Sequence, residues 1–334
     1  MNELWRATPG FYTVWLTYLG RRFGLLQSLA RGSETPSGLA RRLHLHPPAV
    51  DAWCSAAQAA GLLHRRGASY ALSRTLVALL ASEDSREYLA GQFEYVAAMS
   101  LDYERFDDLF RHGRTVPAMQ RRRGAEAIAA ATNWDHTAFL DIALPRWPHL
   151  RRHLERGVHV LDLGCGAGAW MVRTARRFPR SRFVGIDPDR TALTQVRRAV
   201  KERDLEDRVT VRVGDAGVLD QAGAFDLAYL GEALSAMKEP ARVLSAVRRA
   251  LKPGAHLVLL EGILPERPDA RPDAASAFVL GMHLDQLLQG SGFFTKRDLL
   301  STLEKARFRP KPPMHLGGGL WAVAADRPSR ARPS

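Results

Sequence analysis

Cysteine is nearly absent from this chain: Cys54 and Cys165 are the only two in 334 residues. Two cysteines cannot form a disulfide framework, and they fit a reducing compartment. They do not combine with histidines at zinc-ligand spacing, so no metal site is expected. No apolar run reaches the roughly 18 residues that a membrane span needs. The first residues, Met-Asn-Glu-Leu-Trp, lack the basic segment and apolar core of a secretion signal. The expectation is a cytoplasmic protein with no membrane partner. Lysine is also scarce, at 6 of the 48 basic residues, the other 42 being arginine. Such a bias is a mark of a GC-rich genome. It weakens the case for reading the net charge of +13 as a nucleic-acid footprint. Many of the arginines, such as Arg173, Arg176, Arg197 and Arg248, are spread over expected solvated helix faces. The densest run, Arg121-Arg122-Arg123, is a phosphate-contact candidate. The stretch from Asp326 to Ser334 is rich in Pro, Ser and Arg and is expected to be disordered.

In the N-terminal part, Phe11, Val14, Trp15, Tyr18, Leu19, Phe23, Leu26 and Leu29 recur at helical spacing, which predicts one helix over Phe11–Ala30. Thr35-Pro36 supplies a cap and first turn for a helix through Leu43. Pro47–Ala60 is a third helix, stopped by Gly61. Leu62–Leu72 predicts two short strands around Gly67. Residues 85–150 are expected to be mostly helical and rich in aromatics.

The most informative stretch is Val158–Gly168, which reads Val-His-Val-Leu-Asp-Leu-Gly-Cys-Gly-Ala-Gly. An apolar strand runs into Gly164, Gly166 and Gly168, where the backbone can turn tightly and approach a ligand. A helix follows, its amides facing that ligand. The next strand, Ser181–Asp187, ends in a carboxylate suited to a ribose diol. The glycine spacing, G-x-G-x-G, is not the G-x-G-x-x-G of nicotinamide-binding loops. Further strands are expected at Val209–Val213, before Gly214-Asp215-Ala216; at Phe225–Leu230, before Gly231-Glu232; and at Ala255–Glu261, after Leu251-Lys252-Pro253-Gly254.

Together these motifs resemble the class I S-adenosylmethionine-dependent methyltransferases, from about Gly157 to Ala325. The resemblance implies an α/β fold. A doubly wound, seven-stranded Rossmann-like sheet (151–326) would follow a winged-helix-like domain (1–84) and a helical linker that roofs the acceptor pocket (85–150), with a disordered tail at 327–334. It implies S-adenosylmethionine as cofactor, with the glycine loop at its amino-acid end, Asp187 on the ribose and Asp215 at the adenine amine. Asp162, Pro188, Ala216, Leu230 and Gly231 complete the expected cofactor-binding set. In small-molecule methyltransferases the winged-helix module commonly serves dimerisation, so a homodimer is expected. The same module binds DNA elsewhere, but Pro47–Gly61 contains no Lys or Arg to reach bases or phosphates. Nucleic acid is therefore not an expected partner. Two alternatives remain: a cofactor-sensing DNA-binding regulator, or an enzyme using the cofactor for another reaction.

Methyl transfer is an in-line displacement needing alignment and, for a tightly held acceptor proton, a base. In related O-methyltransferases a catalytic His follows the fourth strand in a Leu-His-Asp-Trp pattern. Here Leu234-Ser235-Ala236-Met237 stands there, and Ser235 is a poor base. Either the acceptor is already nucleophilic and needs mainly positioning, or another residue takes the proton. His283 is the first candidate and Glu261 the second. Glu232, Trp134, His136, Tyr103 and Asp285 are the expected acceptor-binding residues. The acceptor is expected to be a small secondary metabolite, methylated on O, N or C.

Overall fold

The structure, a computed structural model, describes residues 3–117, 123–219, 222–266 and 273–329. The chain divides into two units, Met1–Phe106 with Ala118–Trp134, and Asp107–Pro117 with Asp135–Ser334. The expected linker 85–150 is thus shared between them.

The N-terminal unit begins with α1 (Glu3–Arg22) and α2 (Leu25–Ala30). The single helix expected over Phe11–Ala30 is broken at Gly24, which adopts φ 72°. That left-handed turn is open to glycine at little cost and ends α1. In α3 (Pro36–Leu43) the Thr35 hydroxyl accepts the Gly38 amide at 3.1 Å, a side-chain N-cap beside a first-turn proline. α4 (Pro47–Ala59) packs Val50, Trp53, Cys54 and Ala57 inward. The Trp53 indole N–H donates to the Leu16 carbonyl at 3.0 Å. The hairpin β1 (His64–Arg66) and β2 (Ser69–Ala71) gains a third edge, because Glu34 and Tyr70 exchange backbone hydrogen bonds of 3.0 and 2.8 Å. This helix–helix–hairpin order is consistent with a winged helix. α5 (Arg74–Leu80) and α6 (Ala90–Ser100) follow, and the division between the units falls within α7 (Phe106–His112) and within α8 (Gly124–Ala138). Of the three-arginine run, Arg121 and Arg122 lie outside the described residues. Arg123 donates to Tyr18 at 2.9 Å and to Glu126 at 2.8 Å, so its guanidinium is engaged within the protein.

In the second unit, α9 (Leu144–Arg146) and α10 (Pro148–Arg156) lead into β3 (His159–Leu163), α11 (Ala169–Arg177), β4 (Arg182–Asp187), α12 (Arg190–Lys201), β5 (Val209–Val213), β6 (Phe225–Gly231), α13 (Pro240–Ala250) and β7 (Leu251–Leu264). After α14 (Ala274–Gln289) come β8 (Phe294–Thr295), α15 (Lys296–Lys305), β9 (Arg309–Pro310), β10 (Met314–Gly317) and β11 (Leu320–Asp326). Among the described residues the sheet runs β10-β11-β7-β6-β3-β4-β5, with the short β8 on β7 and β9 on β11. The seven-stranded, doubly wound sheet expected from sequence is present. β11 pairs antiparallel with both neighbours, and the five strands from β3 to β7 pair in parallel. Parallel strands covered on both faces read as continuous apolar runs, and Leu161, Leu163, Leu230, Leu257 and Leu259 form their core.

The sequence expectation of a disordered stretch from Asp326 is corrected at its start. Asp326 belongs to β11. Arg327 exchanges backbone hydrogen bonds with Gly254 and Ala255 at 2.9 and 2.8 Å, and its guanidinium reaches the Arg248 carbonyl at 2.6 Å, in the last turn of α13. Residues 330–334 lie outside the described set.

Candidate cofactor and active site

β3 is the switch point of the sheet, because its neighbours β4 and β6 depart from it in opposite directions. Ligands of open parallel sheets collect at such a point, beyond the carboxyl ends of the strands. The glycine loop lies there. Gly164, Gly166 and Gly168 all take positive φ, at 78°, 51° and 72°. They are glycine for different steric reasons. A Cβ on Gly164 would sit 2.8 Å from Ala233, and one on Gly168 would sit 2.8 Å from Val196, whereas one on Gly166 would meet nothing within 4 Å. Gly166 is therefore the member of the loop with open space on its side-chain face. α11 starts at Gly168 with no side chain capping its first turn, so its first amides are suited to a carboxylate.

Asp187 ties this loop to β4. Its Oδ2 accepts the Gly166 amide at 2.8 Å, and its Oδ1 accepts the Asp189 amide at 2.8 Å. A carboxylate has about four lone-pair sites, so both oxygens retain capacity for a diol. Burial raises its pKa, while the two amide bonds pull it back down. Asp162 is fully buried one residue before the end of β3. Burial, and then the charge of Asp187, hold its carboxyl well above the ordinary value. Pro188 is exposed in the turn leading to α12. Asp215 is exposed, and its Oδ1 accepts the Gly217 amide at 2.7 Å, capping the turn Ala216–Val218. Leu230 is 0 % exposed and belongs to the sheet core. Gly231 has its own steric reason: a Cβ there would lie 2.5 Å from the Tyr229 hydroxyl. That phenol ring is stacked on Trp170 with centroids 3.6 Å apart.

The ends of β6 and β7 gather carboxyl groups. Glu261 is 1 % exposed. Its Oε1 accepts the Leu234 amide at 2.8 Å and the Ser235 amide at 3.4 Å. Its Oε2 is buried with no hydrogen-bond partner among the described residues. Burial pushes this carboxyl up to about 7, against the pull of hydrogen bonds from the Ser235 hydroxyl and neighbouring amides. Asp135 and Glu232 are also held well above ordinary carboxylate values. Burial is the main cause, followed for Asp135 by the charge of Glu261 and for Glu232 by the charges of Asp135 and then Glu261. The charges of these three acids act on one another, so they titrate as a set. Glu232 adopts φ 51°, a left-handed conformation that is costly for a residue with a side chain. Sequence reasoning missed Asp135, which stands beside two residues it did select, Trp134 and His136. Nothing local marks a helical Asp as the partner of strand ends more than ninety residues away.

The other sequence candidates are dispersed. His283, on α14, accepts the Phe293 amide on Nδ1 at 3.2 Å, and burial lowers its pKa. With that lone pair engaged, Nε2 carries the proton of the neutral ring. The imidazole can then donate at Nε2 but is poorly disposed to accept a proton there, which counts against its role as base. Asp285, on the same helix, is 2 % exposed. His136 is partly exposed by surface area, and desolvation followed by the charge of Arg173 depresses its pKa to about 3. It is a neutral packed ring at physiological pH. Trp134 and Tyr103 belong to the N-terminal unit. The Trp134 indole donates to the Arg86 carbonyl at 2.7 Å and its ring packs on that unit's core. Tyr103 is 43 % exposed and stands edge-on to Phe106. The two cysteines are free. Burial pushes the Cys54 thiol up to about 12 and raises Cys165 further still, so neither is a reactive thiolate.

Comparison with known proteins agrees with this geometry. Residues 161–257 match the model of a methyltransferase domain family. A demethylmenaquinone methyltransferase of Lactiplantibacillus plantarum is 35 % identical over 122 residues, 36 % of this chain and 52 % of that protein. The chain thus spans about half the length of this curated relative. Two solved structures match over nearly the whole chain. Human N-acetylserotonin methyltransferase in complex with S-adenosylmethionine superposes with a TM-score of 0.74 at 18 % identity, covering 98 % of this chain and 99 % of its own. Mitomycin 7-O-methyltransferase gives 0.68 at 19 %, covering 95 % of each chain. At that identity these two speak for the fold alone. Residues 161–257 thus carry a methyltransferase domain, and the sheet order and glycine loop around it are those of a domain that takes S-adenosylmethionine as cofactor.

Proposed function

We propose that this protein transfers a methyl group from S-adenosylmethionine to a small-molecule acceptor of secondary metabolism. The observation that carries this reading is the pairing of Asp187 with Gly166, which holds a glycine with open space on its side-chain face beside an uncapped helix N-terminus. The cofactor would be held by the loop Gly164–Gly168, Asp187 and the Asp215-Ala216 turn. When bound it supplies an electrophilic methyl on a sulfonium. The chain's own residues then have two tasks. The loop and Asp187 fix the cofactor's orientation. The Asp135–Glu232–Glu261 set, with Glu261 poised near neutrality, receives the acceptor's proton or hydrogen-bonds the acceptor directly. This assigns the proton to Glu261 rather than to His283, and leaves Ser235 as a hydrogen-bond donor to Glu261.

The rest of the proposal concerns partners and place. The outward face of α4 presents Asp51, Ala52, Ser55, Ala56, Gln58 and Ala59, small and net acidic, which suits packing and not phosphate binding. Trp5, Phe11 and Tyr12 on α1 are 68, 57 and 60 % exposed, and such apolar exposure supports a homodimer through the N-terminal unit. No helix among the described residues is long and apolar enough to cross a membrane, and two free thiols suit the cytosol.

Calorimetric titration with S-adenosylmethionine and its demethylated product tests the proposal. Asp187→Ala should weaken binding by roughly 10- to 100-fold, the worth of hydrogen bonds to a charged group at about 1.5–3 kcal/mol. Wild-type protein that binds neither compound at about 1 mM, or an unaltered affinity in the variant, would refute it.

A further inference from the structure

Far from the carboxyl ends of the strands, three histidines converge. His149 and His153 lie one turn apart on α10, and His256 lies in β7. Their rings face one another, with centroids 4.2 Å apart for His149–His153 and 5.3 Å for each of the other two pairs. One ring nitrogen from each lies within 4.8 Å of the others.

We propose that His149, His153 and His256 bind a divalent transition metal, Zn²⁺ being the natural occupant, and that this ion staples α10 to the sheet. Three neutral imidazoles are the donor set of many zinc sites, with water in the fourth position. The second shell supports this more strongly than the spacing does. His256 is 9 % exposed, and its Nδ1 lies 2.7 Å from Asp326 Oδ1. Asp326 is its direct register partner on β11. A carboxylate on Nδ1 fixes the tautomer that leaves the Nε2 lone pair free. Nε2 is buried and has no hydrogen-bond partner among the described residues, although leaving such a group unpaired costs about 1–3 kcal/mol. Metal coordination would satisfy it.

The remaining geometry is that of an open site. At Zn–N distances of about 2.0–2.1 Å, tetrahedral ligand nitrogens lie about 3.3 Å apart, so the rings must close by an ångström or so. His149 is exposed and free to make that adjustment. A surface pocket bordered by His153, Arg156, Asp226 and Lys252 gives a path of entry. Burial, His256 and the charges of Lys311, Arg152 and Arg156 lower the pKa of His149. Burial, His149, His256 and Arg156 lower that of His153, while Asp226 raises it. The same cations oppose a metal ion, so micromolar rather than picomolar affinity is expected. Lys311 also lies 3.3 Å from Asp326.

The test uses the full chain without an affinity tag, freed of metal by chelator and titrated with ZnCl₂ in a calorimeter. One equivalent should bind with a dissociation constant of about 10 µM or below. His149→Ala changes an exposed residue and should retain the native circular dichroism while weakening binding at least tenfold. Asp326→Asn should weaken it by about 10- to 100-fold, the usual effect of removing a second-shell carboxylate. Co²⁺ should give d–d bands without the near-ultraviolet thiolate charge transfer that Cys54 or Cys165 would produce. No binding at about 100 µM Zn²⁺, wild-type affinity in folded His149→Ala, or a thiolate band would each overturn the proposal. The readouts are independent of S-adenosylmethionine, so failure here leaves the methyltransferase reading standing.

Discussion

The Leu234 amide donates to Glu261 Oε1 at 2.8 Å, across the turn where the family's catalytic His would stand. The loop after β6 is thereby fastened to the end of β7 by an acid whose second oxygen has no partner. That arrangement makes Glu261 a structural anchor, to which the proposed function adds the role of proton acceptor, and the two roles separate experimentally.

Glu261→Gln retains an acceptor for the Leu234 amide but cannot ionise. Folding raises the Glu261 pKa from the ordinary 4.5 to about 7. The native state therefore holds this proton longer than the unfolded chain does. The stability that this provides is present below about pH 4.5 and is lost as pH rises through about 7. Denaturant midpoints of wild type and variant should diverge between pH 5 and 8. The wild type should lose ground by at most on the order of 3 kcal/mol. A constant difference across that range would show that Glu261 does not titrate there.

Ser235→Ala should fold and keep most of its turnover, because the Ser235 hydroxyl only donates to Glu261. Losing that donor should move the acidic limb of the pH–rate profile upward. A folded, cofactor-binding Ser235→Ala enzyme without activity would mean that Ser235 itself meets the acceptor.

Two glycines of the loop should fail differently. Gly168→Ala meets Val196 in addition to its positive φ and should lower stability by about 2–4 kcal/mol. Gly166→Ala meets only the φ cost of about 1–2 kcal/mol but places a methyl where the ligand approaches. Its thermal midpoint should fall less while cofactor affinity falls more. Equal losses of both properties in the two variants would contradict the assignment of open space at Gly166.

Gly231→Ala should be destabilising by about 1–3 kcal/mol, the range for overpacking. The Tyr229 ring it would strike is stacked on Trp170 and lies edge-on to Phe139 and cannot swing aside. Chemical denaturation in the absence of cofactor isolates this effect from ligand binding. An unchanged midpoint would mean that the ring yields.

The sheet and its glycine loop were legible in the sequence because each rests on local pattern: an apolar run, a positive-φ turn, a terminal carboxylate. β7 extends beyond the expected Ala255–Glu261 at both ends, since Leu251 pairs with Phe225 of β6, and Ile263 and Leu264 pair with β8. The break at Gly24 was hidden by apolar spacing that continues in phase across it. Long-range constellations were the least legible. His149 and His153 show a helical i, i+4 spacing that sequence can reveal, but His256 comes more than a hundred residues later. Asp135 joins Glu232 and Glu261 for the same kind of reason, through tertiary structure alone.

The strand order also governs how the chain is made. β7 is complete once synthesis passes Leu264, yet β11, which covers its other edge, begins only at Leu320. At about 5–20 residues per second, the ribosome leaves that edge without its long partner for some seconds. Unpaired apolar edges template association between chains. During that interval β8, which pairs with β7 only through Ile263 and Leu264, offers little cover. Nascent chains stalled or truncated before Leu320 should therefore be the species most dependent on chaperones.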